Sequence, residues 1–208
     1  MSKSKHSKSS AAWLQEHHSD QYVRKSKQDG YRSRAAYKLL ELNKKYNLFK
    51  YGMNVVDLGA APGGWSQVVQ SFVTENGKVF ALDILPIDPI ANVDFIQGDF
   101  TEDEPYEKLL SLTEGKKINW VISDMAPNMT GNKSTDQIRS LYLVELATSF
   151  ADQVLKNGGN FLAKIFHAKG AEDLIKELKI HYSKVIIQKP DSSRPRSSET
   201  YVIAFNKK

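Results

Sequence analysis

The 208-residue chain is 40% hydrophobic and 25% charged, which is the composition of a globular protein with its own core. It contains no cysteine, which excludes disulfide bonds and thiolate metal sites, and no apolar run of about 18 residues that could span a membrane. The formal net charge of +5 favours a polyanionic partner.

The basic residues are concentrated near the N-terminus. We predict that residues 1–12, rich in lysine and serine, form a disordered tail and that residues 13–208 form a single domain. Between Arg24 and Lys50 nine basic residues stand against two acidic ones, a local charge of 9 − 2 = +7, and tyrosines are interleaved with them. A second basic stretch runs from Lys189 to Arg196. This pattern predicts a nucleic-acid-binding surface, with a solvated helix face as the alternative.

No apolar segment follows the first lysines, so we expect no secretory signal and a cytoplasmic protein.

Strands and helices alternate along most of the chain after a first predicted helix from Arg32 to about Asn47. A helix stop and turn are expected at Asn157–Asn160. The last two predicted strands have no helix between them, which favours an antiparallel pair. The pattern predicts an α/β, Rossmann-like fold, a seven-stranded mostly parallel sheet with a C-terminal antiparallel strand and helices on both faces. Many adenosylmethionine-dependent methyltransferases have this arrangement. The predicted strands are Asn54–Leu58, Lys78–Leu82, Phe95–Gln97, Trp120–Ser123, Asn160–Ile165, Ser183–Gln188 and Thr200–Phe205, and the other predicted helices are Trp65–Val73, Pro105–Thr113, Asp136–Leu155 and Glu172–His181.

A glycine-rich turn follows the first predicted strand, in residues 55–67 (VVDLGAAPGGWSQ). A strand that turns through glycines into a helix brings free backbone N–H groups to the edge of the sheet where α/β proteins bind cofactors. Ala61 replaces the second glycine of a dinucleotide fingerprint, and no Lys-Ser/Thr pair follows Gly64, so a pyrophosphate or phosphate loop is disfavoured. The turn suits an adenosine or amino-acid group better. A nicotinamide-dependent oxidoreductase and an ordinary strand–turn–helix connection are the alternatives.

Four acidic residues lie where predicted strands end, and one lysine stands in an otherwise apolar strand. Asp57, Asp83, Asp99 and Asp124 are in register to face a ligand, with Asp83 at the position where an acid usually binds ribose hydroxyls. Lys164 is either a surface lysine or a catalytic amine in a partly desolvated site.

Several motifs, in order along the chain, carry a resemblance to a known family. From about Trp13 to Phe205 the chain resembles the FtsJ/RlmE family of heat-shock ribosomal RNA methyltransferases, which modify a ribose 2′-hydroxyl. The resemblance implies methylation of a uridine ribose in the A-loop of 23S rRNA, with S-adenosyl-L-methionine as cofactor, no metal, and the assembled 50S subunit as partner. We also expect a monomer with no membrane association. The matching motifs are Arg32–Lys38 (RSRAAYK), Asp57–Trp65 (DLGAAPGGW), Ser123–Asn128 (SDMAPN), Lys164 and Lys189–Arg194 (KPDSSR).

The resemblance also implies roles for individual residues. A catalytic tetrad falls on Lys38, Asp124, Lys164 and Glu199, and the cofactor residues are expected to be Gly63, Trp65, Asp83, Asp99 and Asp124. RNA binding is expected of Arg32, Arg34, Lys38, Arg194 and Arg196. Two departures from the family pattern are His167-Ala168, where relatives carry Gln-Gly, and Ser198, where they often carry Arg.

Two questions stay open at this stage. Lys164 either takes the proton of the ribose hydroxyl or stabilises the developing alkoxide as a cation. The substrate is either rRNA or, in close relatives, the tRNA anticodon loop. A non-catalytic RNA-binding assembly factor is the alternative from a different class, and an intact tetrad argues against it.

Overall fold

A computed structural model describes residues 20–166 and 170–208 of the chain. The predicted disordered tail and the His167-Ala168 departure lie outside the described residues. Within them, no helix is both long and apolar enough to cross a lipid bilayer.

The described residues contain a seven-stranded sheet in the order β3-β2-β1-β4-β5-β7-β6. Neighbouring strands from β1 to β5 pair in parallel, and β7 runs antiparallel to both β5 and β6. The predicted fold class, including the C-terminal antiparallel strand, is therefore confirmed. The strands are β1 (Asn54–Leu58), β2 (Lys78–Asp83), β3 (Val93–Gln97), β4 (Ile118–Ser123), β5 (Leu155–Phe166), β6 (Tyr182–Gln188) and β7 (Glu199–Lys207).

Helices cover both faces of this sheet. Alternating side chains of β1 divide the core, because Val55 packs with the helices of one face and Val56 with those of the other. Helices α2 and α3 cover the first face, and α4, α5 and α6 cover the second. The described helices are α1 (Gln21–Gln28), α2 (Ala35–Tyr46), α3 (Gly64–Val73), α4 (Asp103–Thr113), α5 (Lys133–Val154) and α6 (Ala171–His181).

Helix α1 was not predicted from the sequence. Its sequence, QYVRKSKQ, is almost entirely polar, so apolar periodicity gives no signal, and only Val23 and Ser26 are buried. The Asp20 carboxylate caps the helix by accepting from the Tyr22 backbone N–H at 2.9 Å. This cap is the one sequence signal that could have revealed the helix.

Several predicted boundaries were wrong by two to five residues. The largest error is at β5, which begins at Leu155 rather than Asn160, because Leu155 already adopts an extended conformation and pairs with Ile118 of β4. The turn expected at Asn157–Asn160 therefore lies within this strand. Helix α2 begins at Ala35 rather than Arg32, and the backbone N–H of Arg32 donates to the Gln67 side chain at 3.1 Å.

Candidate active site

The glycine-rich turn connects β1 to α3 at the carboxyl edge of the sheet. Gly59 adopts φ +77°, and a Cβ there would lie 2.9 Å from the backbone of Met125, so only glycine fits. Gly63, at φ +101°, caps the N-terminus of α3. The first backbone N–H groups of a helix have no partner within it, so this turn presents donors and a partial positive charge at one end of the sheet.

A cavity of about 360 Å³ opens beside this turn. Three of the four strand-end acids line it: Asp83, Asp99 and Asp124. Asp83 accepts from the backbone N–H groups of Ala61 and Leu85, each at 2.8 Å, so it joins the glycine-rich turn to the loop after β2. A cavity of this size with three carboxylates suits a small ligand that carries hydroxyl donors and positive charge.

Asp57, the fourth acid, does not reach the cavity. Its side chain is completely buried, one oxygen accepts from the Ser66 hydroxyl at 2.6 Å, and the other has no hydrogen-bond partner among the described residues. Burial raises the pKa of Asp57 to about 7, and the charges of Asp124 and Asp83 add to the rise while Ser66 opposes it. The prediction that Asp57 faces a ligand was therefore wrong, because β1 turns this side chain under α3.

Replacing this buried acid is expected to change how stability depends on pH. Because the folded pKa of Asp57 lies above its ordinary value near 3.8, the folded state holds a proton that the unfolded state releases between about pH 4 and 7. Stability of the native protein should therefore fall as pH rises through this window. In the Asp57→Asn variant that loss should be absent, so urea unfolding at pH 4.5 and 7.5 should show a flatter profile. Parallel profiles for the two proteins would contradict the assignment.

Asp124 and Lys164 form a buried pair at the ends of β4 and β5. The Lys164 ammonium donates to the Asp124 carbonyl oxygen at 2.6 Å and lies 3.2 Å from its carboxylate. The Lys164 side chain is only 8% exposed, which makes it the amine of a partly desolvated site rather than a surface lysine. The hydroxyl of Tyr201, on β7, donates to the same carboxylate at 2.8 Å.

The surroundings of Asp124 keep it ionised. Burial alone would raise its pKa, but Lys164, Lys38 and the Tyr201 hydroxyl outweigh burial, so the pKa of Asp124 lies below its usual value. Burial, together with the negative charges of Asp124 and Glu199, holds the pKa of Tyr201 well above its ordinary range. Tyr201 is therefore a permanent hydrogen-bond donor to Asp124. It was not singled out from the sequence, since a tyrosine in an apolar strand gives no signal of its partner.

Lys38 and Glu199 form a second ion pair beside the first. Their charged groups are 2.6 Å apart, and the Lys38 ammonium lies 5.8 Å from the centre of the Tyr201 ring. Both line a second, larger cavity of about 720 Å³. The four predicted tetrad residues thus meet around Tyr201, with Asp124 in the first cavity and Lys38 and Glu199 in the second.

Three arginines, Arg34, Arg194 and Arg196, line the second cavity with Lys38. The guanidinium groups of Arg34 and Arg194 converge on the Asp20 carboxylate that caps α1, and Arg34 also donates to the carbonyl oxygen of Ser192. The two basic stretches of the sequence, far apart along the chain, are therefore brought together at one cavity. The lining holds three guanidinium groups and the Lys38 ammonium against the Glu199 carboxylate, so the cavity has an excess of positive charge that suits phosphate binding.

Four predicted site residues line neither cavity: Lys164, whose ammonium group lies against Asp124, and Trp65, Gly63 and Arg32. Trp65 is 3% exposed, and its indole N–H donates to the Ala35 carbonyl oxygen at 2.9 Å. The centre of its ring lies 5.7 Å from that of Tyr201, so Trp65 packs behind the site instead of lining it. Gly63 lies under the side chains of Arg32 and Ile90. Arg32 lines neither cavity, and its guanidinium group binds backbone carbonyl groups. Within the described ranges, no cluster of three or more histidine, aspartate or glutamate side chains is placed to hold a metal ion.

Comparisons with known proteins place these features in a family. The model of the FtsJ-like methyltransferases matches residues 31–207. A Hydrogenovibrio crunogenus protein named ribosomal RNA large subunit methyltransferase E is 56% identical over 97% of this chain and 98% of its own length. A Marinobacter nauticus protein of the same name is 54% identical over 95% of this chain and 96% of its own length.

A solved structure agrees with the fold. It is a Plasmodium falciparum protein provisionally described as a ribosomal RNA methyltransferase, which is 34% identical and superposes with a TM-score of 0.75 over 85% of this chain and 98% of that chain.

Proposed function

Because this chain belongs to the FtsJ-like methyltransferase family, we propose that it methylates a ribose 2′-hydroxyl of large-subunit ribosomal RNA, with S-adenosyl-L-methionine as methyl donor. The more specific proposal is a uridine of the 23S rRNA A-loop, on the assembled 50S subunit. One observation supports catalysis most: Asp124 lines the first cavity and also pairs with buried Lys164, next to an arginine-lined second cavity.

The first cavity fits the proposed cofactor by its chemistry. Adenosylmethionine has a ribose diol, an adenine amino group, an ammonium group and a carboxylate, and it supplies a methyl group bound to a cationic sulfonium. Asp83 would accept from the ribose hydroxyls, Asp99 from the adenine amino group, and Asp124 would lie near the ammonium group. The glycine-rich turn, which contributes Gly59 and Ala61 to the cavity lining, would lie beside the carboxylate.

The second cavity fits RNA by its charge. Arg34, Arg194 and Arg196 would bind phosphates, which position an RNA without reading its sequence. Lys38 and Glu199, held together at 2.6 Å, would orient the ribose. A 2′-hydroxyl target also explains selection of RNA over DNA, since DNA lacks this group.

Lys164 has the central chemical role in this proposal. A hydroxyl is a poor nucleophile while protonated, so its proton must leave or be strongly polarised. The bonds of Lys164 to Asp124 hold its ammonium nitrogen at a fixed point at the ends of β4 and β5. From there Lys164 either takes the proton or, as a cation, stabilises the developing alkoxide.

The experiment is methyl transfer from labelled adenosylmethionine to free large-subunit rRNA, assembled 50S subunits and bulk tRNA. The modified ribose is mapped by its resistance to alkaline cleavage. Label at a single ribose of the rRNA or subunit is expected. Label on tRNA alone would replace the substrate and keep the chemistry. Binding of adenosylmethionine with no transfer to any of the three would favour an assembly factor.

A further inference from the structure

Arg32 occupies an unusual position for a residue of a basic, RNA-facing segment. Its guanidinium group donates to the carbonyl oxygens of Asp88 at 2.5 Å and Pro89 at 2.9 Å, both in the loop after β2. A longer contact of 3.5 Å reaches the carbonyl oxygen of Pro62, in the glycine-rich turn. One side chain therefore joins two loops that are separate along the chain.

The backbone around Arg32 is also joined to the glycine-rich turn. The Arg32 N–H donates to the Gln67 side-chain oxygen at 3.1 Å, and the Gln67 amide returns a bond to the Gly30 carbonyl oxygen at 2.8 Å. A Cβ at Gly63 would lie 3.0 Å from the Arg32 guanidinium group, so the side chain lies flat against the glycine that caps α3. The segment before α2 is thus held at the start of α3.

These two loops form part of the wall of the first cavity. The glycine-rich turn contributes Gly59 and Ala61, and the loop after β2 contributes Ile84 and Leu85. Ile84 and Leu85 are 57% and 63% exposed, so their apolar surface is open to a ligand in the cavity. The distance between the glycine-rich turn and the loop after β2 depends on the contacts that join them. The contacts of Arg32 are placed to set this distance.

We propose that Arg32 is a positioning residue for the cofactor cavity rather than a phosphate contact. This inference rests on the proposed function, and it replaces the prediction that Arg32 binds RNA. Arg32 fixes the loop after β2 against the glycine-rich turn, so its loss weakens adenosylmethionine binding. Two residues further on, Arg34 lines the second cavity, which is the proposed RNA site. A single short segment therefore contributes to both binding sites.

Two variants separate a clamp from a phosphate contact. Arg32→Lys keeps the charge and loses the planar fork that reaches two carbonyl groups, and Arg32→Gln removes the charge. The matched control is Arg139→Lys, at an exposed position on α5 outside both basic stretches. Titration calorimetry measures adenosylmethionine affinity without RNA, filter binding measures affinity for an rRNA fragment at several salt concentrations, and amide hydrogen exchange follows residues 84–92.

We expect both Arg32 variants to bind adenosylmethionine roughly tenfold more weakly, as for the loss of charge-assisted hydrogen bonds. Amides of residues 84–92 should exchange faster, saturating adenosylmethionine should restore kcat, and RNA affinity should stay within about twofold of the wild type. The Arg139→Lys control should behave as wild type in every assay.

Two results would overturn the inference. One is wild-type adenosylmethionine affinity in both variants. The other is a salt slope of RNA binding that falls by about one in Arg32→Gln, which marks a phosphate contact. Failure of the wild-type protein itself to bind adenosylmethionine would instead reject the proposed function, so the two failures are distinguishable.

Discussion

Lys164→Met is expected to lower methyl transfer by roughly 10³-fold while adenosylmethionine affinity stays within a few-fold of wild type. Methionine keeps the length and apolar stem of lysine in a position that is 8% exposed, so the variant removes the ammonium group with little change in volume. Lys164 does not line the first cavity, whereas its partner Asp124 does, so cofactor binding should survive.

The measurement is single-turnover transfer to the best substrate, beside a cofactor titration and a thermal melt. Some loss of stability is expected, because the Asp124 carboxylate loses its closest positive charge. Lys184→Met, at an exposed position on β6, is the control for removing a lysine without disturbing the site. An equal loss of transfer and of cofactor affinity in Lys164→Met would show that Lys164 belongs to the cofactor site instead.

The pH dependence of the same step distinguishes the two roles of Lys164. A base must be neutral, so a rate that rises with pH and levels off would assign proton removal to Lys164. A cation that stabilises an alkoxide must stay protonated, so a rate that falls at high pH would assign the second role.

The fold could be predicted from the sequence because its main signals are local. Continuous apolar strands, alternation with amphipathic helices, and the missing helix before the last strand together determined a mostly parallel sheet with an antiparallel end. The errors occurred where local pattern and long-range contact differ. Helix α1 has no apolar face to read, and the segment before α2 is held by a bond from Arg32 to Gln67, a residue that follows 35 positions later.

The candidate site could be predicted only as a set of residue types at strand ends. Spacing indicated Asp83, Asp99 and Asp124, and the structure brings all three to one cavity. Spacing does not show which way a side chain points, which is why Asp57 was grouped with them although α3 covers it. Trp65 illustrates the same limit, since its ring lies in the core while the adjoining backbone remains at the turn.

The second large effect is expected for Asp124→Asn, which should lower both methyl transfer and adenosylmethionine affinity. Asparagine keeps the shape and the backbone carbonyl that accepts from Lys164, but it leaves that buried ammonium without its nearby negative charge. We expect transfer to fall by at least roughly 10²-fold and the cofactor to bind about tenfold more weakly, since Asp124 also lines the first cavity. Calorimetry and single-turnover transfer give the two values.

The sign of the pH dependence provides an independent check on Asp124. Its pKa lies below the ordinary value of 3.8, so the ionised carboxylate stabilises the fold at neutral pH, and this contribution is lost as pH falls through the lowered value. The stability difference between wild type and Asp124→Asn should therefore be constant from pH 7 to about pH 5 and shrink in stronger acid. Tyr201→Phe removes one hydrogen bond to the same carboxylate and keeps the ring, so it should produce a smaller change of the same sign. A difference that grows in acid would mean that Asp124 is protonated in the folded protein, and Lys164 would then have no anionic partner.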